Sequence, residues 1–205
     1  MSAAPASAPN PQLRRSIVLG VVGLLIAGLG LLLSQPLTPE GRFARMMIPH
    51  HAQAVELANI LERRAADENL RYFAQDVAQT QAAQIGQMRR WLPLWRQPLV
   101  NLERPTPEQM QGMGMASQED IAKLLSLQGR EAETWFLQLM IRHHQGALPM
   151  IEEALPEVTQ DLPKRLLTAM KNSQGGEIRT MENWLTDRGG RPLPFEPGQM
   201  EGMGH

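Results

Sequence analysis

The 205-residue chain contains no cysteine. This excludes disulfide scaffolds, CxxC redox sites, zinc ribbons, iron–sulfur clusters and covalently attached c-type haem. Aromatic residues are scarce, at 4%, which argues against a sandwich or barrel built on aromatic strands. Neither sign of charge is in excess: the formal net charge is −1. The basic footprint of a nucleic-acid binder is missing, and no nucleic-acid partner is expected. Enzyme signatures are missing as well. There is no HExxH, no Gly-x-Ser-x-Gly, no phosphate-binding glycine loop, and no glutamate three residues before any histidine, as a ferritin-type di-iron centre requires. No catalysis is expected. What the chain does have is 13 methionines and two adjacent histidine pairs, His50-His51 and His143-His144.

The first twelve residues are rich in Ala, Pro and Ser, and residues 1–15 are expected to form a disordered N-terminus on the cytoplasmic side. Arg14 and Arg15 then precede an uncharged run from Ile17 to Leu33. As a helix this run is roughly 25 Å long, just under a hydrocarbon core. Residues 16–34 read as a signal anchor, a single transmembrane helix that makes the membrane a partner. A cleaved signal peptide is the alternative, although Ser34-Gln35-Pro36 is not a small-x-small cleavage site. Either version places the rest of the chain in the periplasm or outside the cell. That part carries a net charge of −3, because the two arginines are the only charges before Glu40.

Shifted by 93 residues, the sequence matches itself without gaps. Phe43 falls on Phe136, Met47 on Met140, Ile48 on Ile141, His50-His51 on His143-His144, and Ala54 on Ala147. Further on, Gln81 falls on Gln174, Ile85 on Ile178, Met88 on Met181, and Trp91-Leu92 on Trp184-Leu185. Each copy, about 38–95 and 131–188, reads as a helical hairpin. Thr38 with Pro39 is a favoured helix start, Arg63 to Asn69 and Pro156 to Pro163 are the turns, and Gly189-Gly190 is the stop. Ser117 with Asp120 forms a capping box for a shorter helix. No segment alternates like a strand. The fold class is all-α, a four-helix bundle over residues 38–188 made of two duplicated hairpins. The linker, 96–118, contains Met110, Met113 and Met115. The C-terminal tail, 189–205, contains Met200, Met203 and His205 in the same Gln-Met-x-Gly-Met-Gly pattern.

Counting equal distances from the turn places Met47, His50 or His51, Gln84 and Met88 at one level. Met140, His143 or His144, Glu177 and Met181 lie at one level in the second copy. Adjacent helical residues diverge by about 100°, so one histidine of each pair should point inward and the other toward a neighbouring helix or solvent. Thioether sulfur suits Cu(I) and imidazole also binds Cu(II), so copper, or silver, is the expected ligand. Three methionines in a glycine-rich segment can also wrap a soft ion. Because the imidazole must be neutral, binding should weaken below roughly pH 6.5. Methionine at helical spacing also serves as plain core filler, and histidine as a hydrogen-bonding group. Pro49 and Pro149 fall inside predicted helices, where each removes one backbone hydrogen bond. A b-type haem held by Met and His, or a metal-free interaction module, remains open beside copper.

The strings Phe43-x-x-x-Met47-Ile48-Pro49-His50-His51-x-x-Ala54 and Phe136-x-x-x-Met140-Ile141-x-His143-His144-Gln145-Gly146-Ala147 resemble the signature of the bacterial domain-of-unknown-function family 305. The later Gln-x-x-(Gln/Glu)-Ile-x-x-Met-x-x-Trp-Leu strings resemble that family's second helix. The resemblance spans about residues 40–188. It implies a ferritin-like bundle, similar to the CopM-type periplasmic proteins linked to copper resistance. It also implies copper handling by the matching Met and His positions. A copper-donor or copper-acceptor protein is the expected partner. Pro149 and Met150 stand in the second copy where Glu56 and Leu57 stand in the first, so the two half-sites are expected to differ in affinity.

Overall fold

The computed structural model describes residues 12, 18–26, 28, 38–95, 97 and 105–198. Among these residues the structure is helical, without a strand. The chain divides into two units, Met1–Pro36 and Leu37–His205. In the first, residues 18–26 and 28 are helical, and their large apolar side chains are exposed, Leu24 by 76%. Among the described residues no helix is long and apolar enough to cross a membrane, so the transmembrane helix expected over 16–34 is not found there. The remainder of that span, and all of residues 1–15 except Gln12, lie outside the described residues.

The second unit is built from α1 (Pro39–Glu62), α2 (Glu68–Leu94), α3 (Pro107–Gly112), α4 (Gln118–Ser126), α5 (Gly129–Glu157) and α6 (Asp161–Asp187). Local chemistry accounts for the ends. The Thr38 hydroxyl accepts from the Gly41 amide with Pro39 as the first helical residue, and Asp67 caps α2 through the Asn69 amide. Ser117 and Asp120 form a reciprocal capping box at α4. Gly189, just past α6, takes φ +73°, a conformation that favours glycine. Helices α1 and α5 run through Pro49 and Pro149 without interruption.

Helices α1 and α2 pair as one hairpin, α5 and α6 as the other, and the hairpins meet along α1 and α5. Their mutual direction follows from two buried carboxylates one repeat apart. Glu40, at the start of α1, accepts from the Thr159 amide in the second turn at 3.2 Å. Glu133, at the start of α5, accepts from the Ala66 and Asp67 amides in the first turn at 2.8 and 2.9 Å. Each copy thus caps the turn of the other, and α1 and α5 are antiparallel. Arg188 completes the end, reaching Asp67 at 2.6 Å and Glu133 at 3.4 Å. At the outer helices, Phe73 of α2 and Trp184 of α6 meet edge to face at 5.2 Å, and the Trp95 indole donates to Gln160.

The Glu133 carboxylate serves two turn amides and one guanidinium with almost no access to water. Replacing it with alanine should therefore lower unfolding stability by about 3 kcal/mol, because three buried donors lose their acceptor. The matching Glu40→Ala change removes a single bond and should cost less than half of that in urea denaturation.

The bundle interior forms two apolar clusters. One lies toward the first turn and contains Leu57, Leu61, Leu70, Phe136, Met140 and Met181. The other lies toward the second turn and contains Phe43, Met47, Met88, Met113, Met115, Met150 and Met170. The histidines occupy the level between them, halfway along α1 and α5.

Candidate metal centre

All four paired histidines are fully buried. None faces solvent; as expected, the two members of each pair diverge, one turning into its own hairpin and the other toward the neighbouring helix. Because α1 and α5 cross antiparallel at their midpoints, His50 and His143 meet at the crossing. Their ring centroids are 3.7 Å apart with an interplanar angle of 33°. His143 Nε2 donates to the His50 carbonyl at 3.0 Å, and His50 Nε2 donates to the Met113 carbonyl at 3.0 Å. His51 and His144 turn back into their own hairpins. His51 Nε2 donates to Gln84 Oε1 at 2.7 Å, and His144 Nε2 to Glu177 Oε2 at 2.7 Å. The equal-distance counting identified Gln84 and Glu177 correctly as the residues opposite the histidines.

In each case the acceptor is an oxygen, so Nε2 carries a proton, and in the neutral ring Nδ1 is left with its lone pair. All four Nδ1 atoms are buried without a hydrogen-bond partner. A neutral imidazole whose N–H is held by an oxygen and whose other nitrogen is free is the arrangement in which histidine ligates a metal. The buried side-chain oxygens of Gln81 and Gln174, and the Gln174 nitrogen, are also without partners. No three His, Asp or Glu side chains among the described residues group as metal ligands. Thioether sulfur is a further donor type that the sequence places beside these rings.

That sulfur is close in the helical register. Met47 precedes His51 by one turn and Met88 follows Gln84 by one turn; Met140 and Met181 stand in the same relation to His144 and Glu177. All four methionines are buried, Met47 and Met88 in one cluster and Met140 and Met181 in the other.

Residues 105–118 of the linker are an ordered part of this centre. Thr106 and Gln109 form a capping box for α3, and Gly114 takes φ +69°. The backbone that follows is held by side chains of the bundle. His50 binds the Met113 carbonyl, Arg142 binds the carbonyls of Gly114 and Met115, and Gln53 both accepts from and donates to the Ala116 backbone. Met113 and Met115 are thereby buried in the cluster of Met47 and Met88, with Met110 partly buried against it. Met200, Met203 and His205 lie outside the described residues.

Burial lowers the pKa values of His50, His51 and His143. His50 falls to about 4, mainly by loss of solvation. His51 falls to about 3, by loss of solvation and the neighbouring His50. His143 also lies well below the ordinary value, for the same reasons. Burial alone would raise the Glu177 carboxyl, but hydrogen bonds from His144 and Ser173 outweigh it and hold it below the usual range. Two consequences follow. Proton competition for His50 and His51 sets in near pH 4 or lower, not at the pH 6.5 of a free imidazole expected from the sequence. In addition, the unfolded chain binds more protons than the folded one below pH 6.5. Stability present above that pH is lost as the pH falls, by about 2 kcal/mol for each of His50 and His51 at pH 5. Melting curves at pH 7.5 and 5 should show the midpoint drop in acid.

The model of the domain of unknown function DUF305 matches residues 40–185. A DUF305 protein of Streptomyces coelicolor, taken to be secreted, is 40% identical, with 77% of this chain and 98% of that chain covered and a TM-score of 0.69. A DUF305 fragment from Deinococcus radiodurans is also 40% identical, with 75% and 99% covered and a TM-score of 0.68. CopM in its Cu(I)-bound form is 26% identical, with 73% and 96% covered and a TM-score of 0.58. No curated protein matches the chain.

Proposed function

The chain belongs to the DUF305 family, and from that premise we propose that it is an extracytoplasmic binding protein for copper, and for silver, that sequesters or transfers the ion without catalysis. The observation that carries this reading is the set of four buried imidazole nitrogens left without partners, each on a ring whose opposite nitrogen is fixed by an oxygen. Methionines one turn away supply the soft donors that Cu(I) and Ag(I) prefer. The solved CopM forms, bound to Cu(I) and to silver at 26% identity, support the choice of ion. In this reading the ligands come from Met47, His51 and Met88 in one half and Met140, His144 and Met181 in the other. His50 and His143 lie between them, and the linker and tail methionines act as outer donors. The exchange partner is a copper-donor or copper-acceptor protein.

Extracytoplasmic placement is supported by the Streptomyces coelicolor relative taken to be secreted and by the apolar run Ile17 to Leu33, which would serve as anchor or export signal. A b-type haem finds less support. The His50 and His143 ring centroids lie 3.7 Å apart, which leaves no slot for a porphyrin between them.

Thermal melts of the chain with and without Ag(I) test the proposal. Binding to the native state should raise the midpoint, by about 3 kcal/mol in stability at a hundredfold excess over Kd. An unchanged midpoint, with no metal retained after gel filtration, would contradict it.

A further inference from the structure

The two half-sites are built on one plan but differ in charge and in sulfur. His144 donates to a carboxylate, Glu177, whose second oxygen accepts from the Ser173 hydroxyl. The repeat-related positions are His51, Gln84 and Thr80, so the carboxylate is replaced by an amide with one oxygen. The surroundings differ in the opposite sense. Met47 and Met88 share their cluster with Met113, Met115, Met150 and Met170, whereas the cluster of Met140 and Met181 holds no further methionine among the described residues.

Resting on the copper-binding reading above, we infer that the halves divide the ion by oxidation state. The His51–Gln84 half takes the soft monovalent ion, and the His144–Glu177 half takes the divalent one, with Glu177 as the positioning residue that sets the preference. The chemistry is direct. A carboxylate hydrogen-bonded to the distal N–H makes an imidazole a stronger donor and fixes its ring. It also places a negative charge beside the fully buried ring that would hold the ion, which favours a divalent over a monovalent cation. The first half offers only neutral donors and is surrounded by thioethers, the environment that suits Cu(I) and Ag(I). Among the described residues no lysine or arginine forms an ion pair with Glu177, and its two oxygens are used by His144 and Ser173.

The experiment is titration of the full chain with Cu(II), followed by electron paramagnetic resonance, and separately with Ag(I), in the unmodified protein and three variants. Glu177→Gln keeps the shape and removes the charge. It should weaken Cu(II) binding by about tenfold or more and alter its spectrum, while Ag(I) binding is retained. Gln84→Glu should add a second strong Cu(II) site. The double variant Gln84→Glu/Glu177→Gln should restore one strong Cu(II) site, now in the first half. Should Glu177→Gln fail to fold, Gln84→Glu, which removes nothing, decides alone. Unchanged Cu(II) affinity and spectrum in Glu177→Gln, or an equal loss of both ions, overturns the division of roles. Binding of neither ion by the unmodified chain overturns the copper-binding reading itself, and this inference with it.

Discussion

Replacing Gly146 with alanine should lower the melting midpoint of the protein by about 10 °C, corresponding to roughly 3 kcal/mol or more. Gly146 lies on α5, two residues past His144. A Cβ there would sit 1.8 Å from the Met113 carbonyl oxygen and 2.2 Å from its carbon. Both are backbone atoms, so no side-chain rotation relieves the clash. The same carbonyl accepts the His50 Nε2 proton, and the segment behind it is held by Arg142 and Gln53. Moving the linker therefore breaks a whole set of buried hydrogen bonds and opens the methionine cluster beneath Met113. Gly86 on α2 provides the control. A Cβ there meets nothing within 4 Å. Alanine at that helical position should leave stability unchanged or raise it by up to about 1 kcal/mol. A Gly146→Ala protein as stable as wild type would mean that the linker does not rest on α5.

The second large effect concerns the thioethers themselves. Under the proposed copper-binding reading, changing Met47, Met88, Met140 and Met181 together to leucine should reduce Cu(I) and Ag(I) affinity by roughly 100-fold or more, since in that reading they are ligands and not only supports of ligands. The substitution conserves volume and apolar character, and each change should cost less than about 1.5 kcal/mol. All four side chains are buried in apolar clusters, so leucine finds the same neighbours. Affinity and stability should thus separate, the first collapsing while the fold persists. If the four leucines leave silver binding intact, these methionines are core filler, and the imidazoles hold the ion without them.

Much of the architecture was legible before the structure. Thr38-Pro39 marks a helix start because its hydroxyl and its missing amide suit that position, and the structure begins α1 there. The 93-residue repeat of rare residue types specified two hairpins. The residues opposite the histidines, Gln84 and Glu177, followed from counting about a turn. The relative direction of the hairpins did not follow, because it is set by Glu40 and Glu133. These two glutamates stand at matching repeat positions and were readable as a pair, but only burial reveals that each caps the turn of the other copy. The histidines lie at the midpoints of α1 and α5, so the antiparallel crossing brings them together. The docked linker was hidden for a different reason. Its composition is that of a loose segment, and its order comes from long-range bonds to His50, Gln53 and Arg142. The one local hint is Gly146, a glycine inside a helix where the first copy has Gln53, as expected where a backbone approaches closely.

X-ray absorption at the copper edge of the full chain loaded with Cu(I) tests the central claim most directly. The account predicts sulfur and imidazole scatterers together in the first shell, with the sulfur lost in the four-leucine variant. A shell of nitrogen and oxygen alone, identical in the wild type and the variant, would contradict it.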